Sequence, residues 1–213
     1  MTLIYFVRHG QSMGNVNAEF HGQYNSDLSV LGHSQACLAG EYLRNKKIDI
    51  FYSSDLNRAY QTACHIAQNY NAQVIKNENL REIFAGKWEK MKFSDIEKEY
   101  PEEYYLWKNN IAECRCPGGE SVKELYERIN SEVDKLAKIN DGKTICIATH
   151  ATPLRMLKCA WMGKGVEAAN TLKFVPNASV SQVEYYPDGT RKIITDGFCD
   201  FLGNDVTVLP KNI

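Results

Sequence analysis

The stretch that decides the reading is "LIYFVRHGQSMGN", residues 3–15. Leu3 to Val7 form the short apolar run of a buried strand. Arg8, His9 and Gly10 follow at once, with no turn signal between. Open α/β sheets bind ligands beyond the carboxyl ends of their strands. A cation and an imidazole at such an end are therefore candidates for chemistry. "KTICIATH", residues 143–150, repeats the arrangement: a second apolar strand running into His150.

Outward from these two strands, short apolar runs alternate with helical patterns, which predicts an α/β three-layer sandwich. Its central sheet is expected to be mostly parallel, with helices on both faces. "SVLGHSQACLAGEYLRNK" (29–46) predicts a helix whose apolar face holds Val30, Leu31, Cys37, Leu38, Tyr42 and Leu43. "IDIFYSS" (48–54) predicts a strand, and "DLNRAYQTACHIAQNY" (55–70) a helix capped by Ser54 or Asp55. That helix would carry Arg58 to the rim where Arg8, His9 and His150 lie. "AQVIKNENL" (72–80) predicts an edge strand, and Ser121 with Glu124 a capping box. Pro187-Asp188-Gly189 predicts a hairpin between two late strands. Residues 83–119 carry Phe84, Trp88, Phe93, Tyr104 and Trp107 among many charges, and predict a helical and loop cap inserted in one domain spanning 1–213. Most of these rings are expected to pack the cap, with Phe84 and Trp88 the ones that face a substrate.

Composition narrows the function. Of 213 residues, 44% are hydrophobic and 24% charged, as in an ordinary globular protein with a real core. A net charge of −1 supplies no field for nucleic acid, so anion binding has to come from a local cluster. No run approaches the roughly 20 apolar residues of a membrane helix, and the N-terminal run is too short for a signal peptide. Seven scattered cysteines read as reduced thiols of a cytoplasmic protein. Cys114 and Cys116 have no second pair to complete a zinc site, so no metal is expected.

"VRHGQSMGN" (7–15), "SSDLNRAYQTA" (53–63), "LREIFAGKWE" (80–89), "PGGES" (117–121) and "ATHATPLR" (148–155) together resemble the histidine phosphatase superfamily, the phosphoglycerate mutase-like family. They stand in that family's order, and "NASVSQVEYY" (177–186) fits its late strands. The resemblance implies phosphoryl transfer through a phosphohistidine, without cofactor or metal, on a small phosphorylated substrate. It implies that His9 is the nucleophile, that Arg8, Arg58 and His150 hold the phosphoryl oxygens, and that Glu82 is the proton donor. Asn15 matches a position close to the phosphate, and Gly10 is expected to let the chain turn tightly. The loop beginning at His21 and Gly22 contacts ligand in the family, where the first residue is usually Gln, Thr or Ser. For His21 itself, ligand contact and plain packing both stay open. Ala151 replaces the usual glycine, a small change. His33 is expected to be solvated, and His65 to be packing or surface.

Neutral histidine is a competent nucleophile, and guanidinium forks suit phosphate oxygens, so the residues agree with that chemistry. The phosphatase branch is favoured over a phosphoglycerate mutase because residues 104–118 offer only Lys108 and Arg115, without an Arg-Arg pair for a substrate carboxylate. A catalytically inactive binder of phosphorylated ligands is disfavoured, since no key residue is missing.

Overall fold

The computed structural model describes residues 1–208. Six strands form one sheet: β1 (Thr2–Arg8), β2 (Ile50–Ser53), β3 (Val74–Lys76), β4 (Thr144–Thr149), β5 (Val180–Tyr185) and β6 (Arg191–Phe198), in the order β3-β2-β4-β1-β5-β6. The four strands from β3 to β1 are parallel, and β5 and β6 add an antiparallel edge. Pro187-Asp188-Gly189 does turn the hairpin, with the Tyr186 and Thr190 backbones bonded at 2.9 Å.

The helices are α1 (Met13–Asn17), α2 (Val30–Leu43), α3 (Asn57–Gln68), α4 (Phe93–Glu99), α5 (Pro101–Asn109), α6 (Val122–Ile139) and α7 (Ala151–Trp161). Side chains alternate across each strand. Ile4 and Phe6 of β1 enter a core shared with α6, α7 and the 80–116 segment, while Tyr5 and Val7 enter a second core with α2 and α3. Three layers result. The capping box of α6 is present: Ser121 Oγ accepts from the Glu124 amide, and Glu124 accepts from the Ser121 amide.

Several local expectations are corrected. Val30 is 91% exposed, and Cys37 is exposed as well. Leu43 is buried as expected, and α2 also buries Gly32, Gln35, Ala36, Ala39 and Gly40, because it lies close against α3 and small residues permit that approach. α3 begins after Leu56 and has no side-chain cap. Ser54 is diverted: its hydroxyl accepts the Leu56 amide at 3.3 Å and bonds His150. His33 is not simply solvated, since its Nδ1 lies 2.9 Å from Nε2 of the half-buried His65.

Candidate active site

Strand pairing builds the site. β1 and β4 are parallel neighbours with Arg8 beside Thr149, and the His9 amide donates to the Thr149 carbonyl at 3.0 Å. His9 and His150, one residue past each strand, therefore face one rim with ring centroids 5.2 Å apart. β2 flanks β4 on the other side, and the Ser54 amide donates to the Ala148 carbonyl. The first turn of α3 then brings in Arg58. Arg8, His9, Asn15, His21, Gly22, Arg58, Glu82 and Ala151 all line one cavity, and His150 adjoins it through His9.

Each group is fixed by identifiable partners. His9 Nδ1 lies 2.7 Å from the Gly10 carbonyl, which can only accept, so the ring proton is on Nδ1 and Nε2 keeps its lone pair. Burial, then the charges of Arg58 and Arg8, hold the His9 pKa well below the ordinary imidazole value, so the ring is neutral. His150 Nε2 bonds the Ser54 hydroxyl at 2.8 Å, and its Nδ1 is buried with no partner. Arg58 donates from both terminal nitrogens to the carbonyls of Tyr24 (2.9 Å) and Gly22 (2.8 Å), and Arg8 donates to Val175 (2.6 Å). The Nε of each arginine is buried and unpaired. Two buried guanidiniums, each with an unused donor, form an anion site in a protein that is nearly neutral overall.

Glu82 is 8% exposed. Its carboxylate accepts from the amides of Ile83 (2.8 Å) and Thr152 (3.3 Å). Burial raises its pKa above the usual carboxylate value; these amides and Arg58 pull the other way. The rise thus exists before any phosphate is present. Arg81 is not its partner but pairs with Asp55, its Nε 2.7 Å from Oδ1. Arg128 of α6 clamps the irregular segment that carries Glu82 instead, donating to the carbonyls of Asn79, Arg81 and Glu82 while paired with Glu120.

Gly10 serves differently from expectation. Its φ is not positive; a Cβ there would stand 2.4 Å from the Gly32 carbonyl oxygen of α2. Close helix approach, not a tight turn, demands the glycine. A Cβ at Gly14 would lie 1.7 Å from His21 Nε2, so Gly14 makes room for that ring. His21 lines the cavity with Nε2 unpaired, and burial pushes its pKa down to about 3. Asn15 Oδ1 is held by the Ser12 amide and hydroxyl and by Asn177, leaving its NH2 as the group it can offer.

Phe84 and Trp88 do not line the cavity. Phe84 is 44% exposed, and Trp88 is fully buried against Phe20 and Trp107. Phe93, Trp107, Phe174, Phe20, Glu19 and Thr152 line it instead. Trp107 stands on the helical period of α5, and Phe174 follows a 3-10 turn (Val166–Thr171), so neither had a local signal pointing inward.

Residues 4–194 match the family model described as the histidine phosphatase superfamily (branch 1). The chain belongs to that superfamily. This histidine phosphatase is 32% identical to phosphoserine phosphatase 1 of Hydrogenobacter thermophilus, over 76% of this chain and 77% of that protein. It is 30% identical to a protein of Salmonella choleraesuis named probable phosphoglycerate mutase, over 87% of this chain and 86% of that one. Among solved structures, a mycobacterial glucosyl-3-phosphoglycerate phosphatase in complex with VO3 superposes with a TM-score of 0.83 at 26% identity, covering 91% of this chain and 98% of that one. The chain is accordingly a phosphatase enzyme of the metal-independent histidine type, acting on small phosphorylated substrates. No helix among the described residues is long and apolar enough to cross a membrane.

Proposed function

We propose that this histidine phosphatase hydrolyses the phosphomonoester of a small metabolite through a phosphohistidine on His9. The observation that carries the reading is the His9 tautomer. With Nδ1–H committed to the Gly10 carbonyl, the Nε2 lone pair is free in a cavity that also holds two buried guanidiniums.

In the first step Nε2 attacks phosphorus and the bond to the ester oxygen breaks. Glu82, which enters this step in the protonated form that burial favours, gives its proton to the departing oxygen. Arg8, Arg58 and His150 hold the three equatorial oxygens over which charge spreads. In the second step Glu82 takes a proton from water as the water oxygen attacks phosphorus. The phosphorus–nitrogen bond breaks, its electron pair returns to Nε2, and inorganic phosphate leaves. Asn15, His21 and Gly22 complete the substrate-binding wall, while Gly10 lies outside the lining with its carbonyl on His9 and its amide on Thr62; residues 83–119 act as the cap of a single 1–213 domain, of which 209–213 lie outside the described residues.

A mutase would have to grip a substrate carboxylate as well. Arg8 and Arg58 are the only lysine or arginine side chains lining the cavity among the described residues, and both belong to the phosphoryl end. The test is a screen of phosphorylated metabolites for phosphate release, with 3-phosphoglycerate checked for phosphate migration. Brief incubation with a labelled substrate and an alkaline quench should leave label on the protein. Label that persists in His9→Ala, or migration outpacing release, overturns the reading.

A further inference from the structure

The cavity wall is chemically mixed. Besides the cations Arg8 and Arg58 it includes Glu19, Phe93, Trp107, Phe174 and Thr152. The backbone joins the first two: Glu19 forms an isolated antiparallel bridge with Lys92, and the Phe93 amide donates to the Ala18 carbonyl at 3.4 Å. Phe20 sits between the rings, 5.6 Å from Phe93 and 4.9 Å from Trp107. The Glu19 carboxylate has no cationic partner among the described residues, and its one side-chain bond is a long 3.4 Å contact from Asn17. Lys92 and Lys173, next in sequence to Phe93 and Phe174, are exposed and outside the lining. Arg155 stacks on Phe174 with its guanidinium carbon 4.6 Å from the ring centroid, is bonded to the Ala169 carbonyl, and is also outside the lining.

We infer that this part of the wall recognises an ammonium group on the alcohol part of the substrate, with Glu19 as the specificity-determining residue. A carboxylate sharing a cavity wall with aromatic rings favours a cation and repels a second anion. The favoured class is the phosphate ester of an amino alcohol, with the dianion on the arginines and the ammonium at Glu19. This inference rests on the phosphatase reading above and deepens it.

Phosphocholine and 3,3-dimethylbutyl phosphate have the same shape and differ in one charge. The expected kcat/KM ratio between them is about tenfold in favour of the cation, as partly exposed cation–π and ionic contacts together supply, and 3-phosphoglycerate should be poorer than either. Glu19→Gln should lower the ratio to about threefold, the share left to the aromatic rings. Binding of the same two esters to His9→Ala, measured by calorimetry, should show the same preference without turnover. A wild-type ratio near one, or a ratio that Glu19→Gln leaves unchanged, overturns the inference. So does hydrolysis of p-nitrophenyl phosphate with neither ester accepted, an outcome that leaves the phosphatase reading standing. Should no ester be hydrolysed, that reading fails and the calorimetry decides this one: equal affinities overturn it.

Discussion

His150 and Ser54 are joined by a 2.8 Å bond across adjacent strand ends, which engages Nε2 of the ring and leaves Nδ1 without a partner. Ser54 Oγ already accepts the Leu56 amide at 3.3 Å, and when its own hydrogen points at His150 Nε2 the ring proton is on Nδ1. In the proposed mechanism this tautomer is the productive one, because it makes Nδ1 a donor for a phosphoryl oxygen. Ser54→Ala removes the bias toward this tautomer. The expected outcome is a fall in kcat of about tenfold, smaller than the hundredfold or more of a lost oxyanion donor expected for His150→Ala. Steady-state kinetics on both variants checks it; a Ser54→Ala enzyme with unchanged kcat contradicts the tautomer assignment.

In the proposed mechanism Glu82 acts on the leaving group, so its importance should scale with how badly that group needs a proton. Glu82→Gln keeps the size and one acceptor but cannot cycle a proton. Phosphate release from an alkyl phosphate should drop by roughly a hundred- to ten-thousandfold. Release from p-nitrophenyl phosphate, whose leaving group departs as an anion, should drop far less. Equal losses on the two substrates would point to a structural or binding role.

Arg58 binds the phosphoryl group in this scheme and also ties down the 22–24 loop through two carbonyls. Arg58→Ala should therefore cost a hundredfold or more in kcat/KM. It should also cost the stabilisation that vanadate or phosphate gives the folded protein, because a ligand raises Tm only as far as it binds the native state. Arg58→Lys keeps the charge without the planar fork and should recover only part of each. A thermal shift with vanadate as large in Arg58→Ala as in the wild type removes Arg58 from the phosphoryl site.

The sequence was most legible where local pattern and topology agree. Two apolar strands running into His9 and His150 located the rim before any contact was known, and the capping box at Ser121 marked the start of α6. It was least legible where a side chain's direction depends on distant packing. Trp88 follows Glu82 closely in the chain, yet it turns into the core against Phe20 and Trp107, while Phe93 and Trp107 take the cavity wall. Aromatic residues in a short-helix segment carry no period strong enough to separate the two fates. The α2 face was legible in part: Leu43 is buried and Leu38 and Tyr42 pack against the core, but Val30 and Cys37 are exposed, and close approach to α3 fills the rest of that face with glycine and alanine. Arg128 was missed because it lies on an exposed-looking position of α6 and acts through backbone carbonyls of another segment.

The buried histidines make a last expectation about stability. Burial lowers the pKa of His9, His21 and His150, with Arg58 as the next cause in each. In the unfolded chain each returns to about 6.5. Below that pH the unfolded state takes up protons that the folded state refuses, so stability is complete above pH 6.5 and falls as the pH drops. Glu82 acts in the opposite sense, because its raised pKa lets the folded state bind a proton that the unfolded state does not. Each histidine contributes about 1.4 kcal/mol per pH unit once titrating, so a net loss of roughly 2–4 kcal/mol is expected between pH 7 and 5.5. Urea unfolding at the two pH values measures it directly. His21→Gln, which removes one of the titrating rings, should make the dependence shallower; a midpoint independent of pH over this window would mean that the folded protein takes up as many protons as the unfolded chain, so that burial does not hold the three rings neutral.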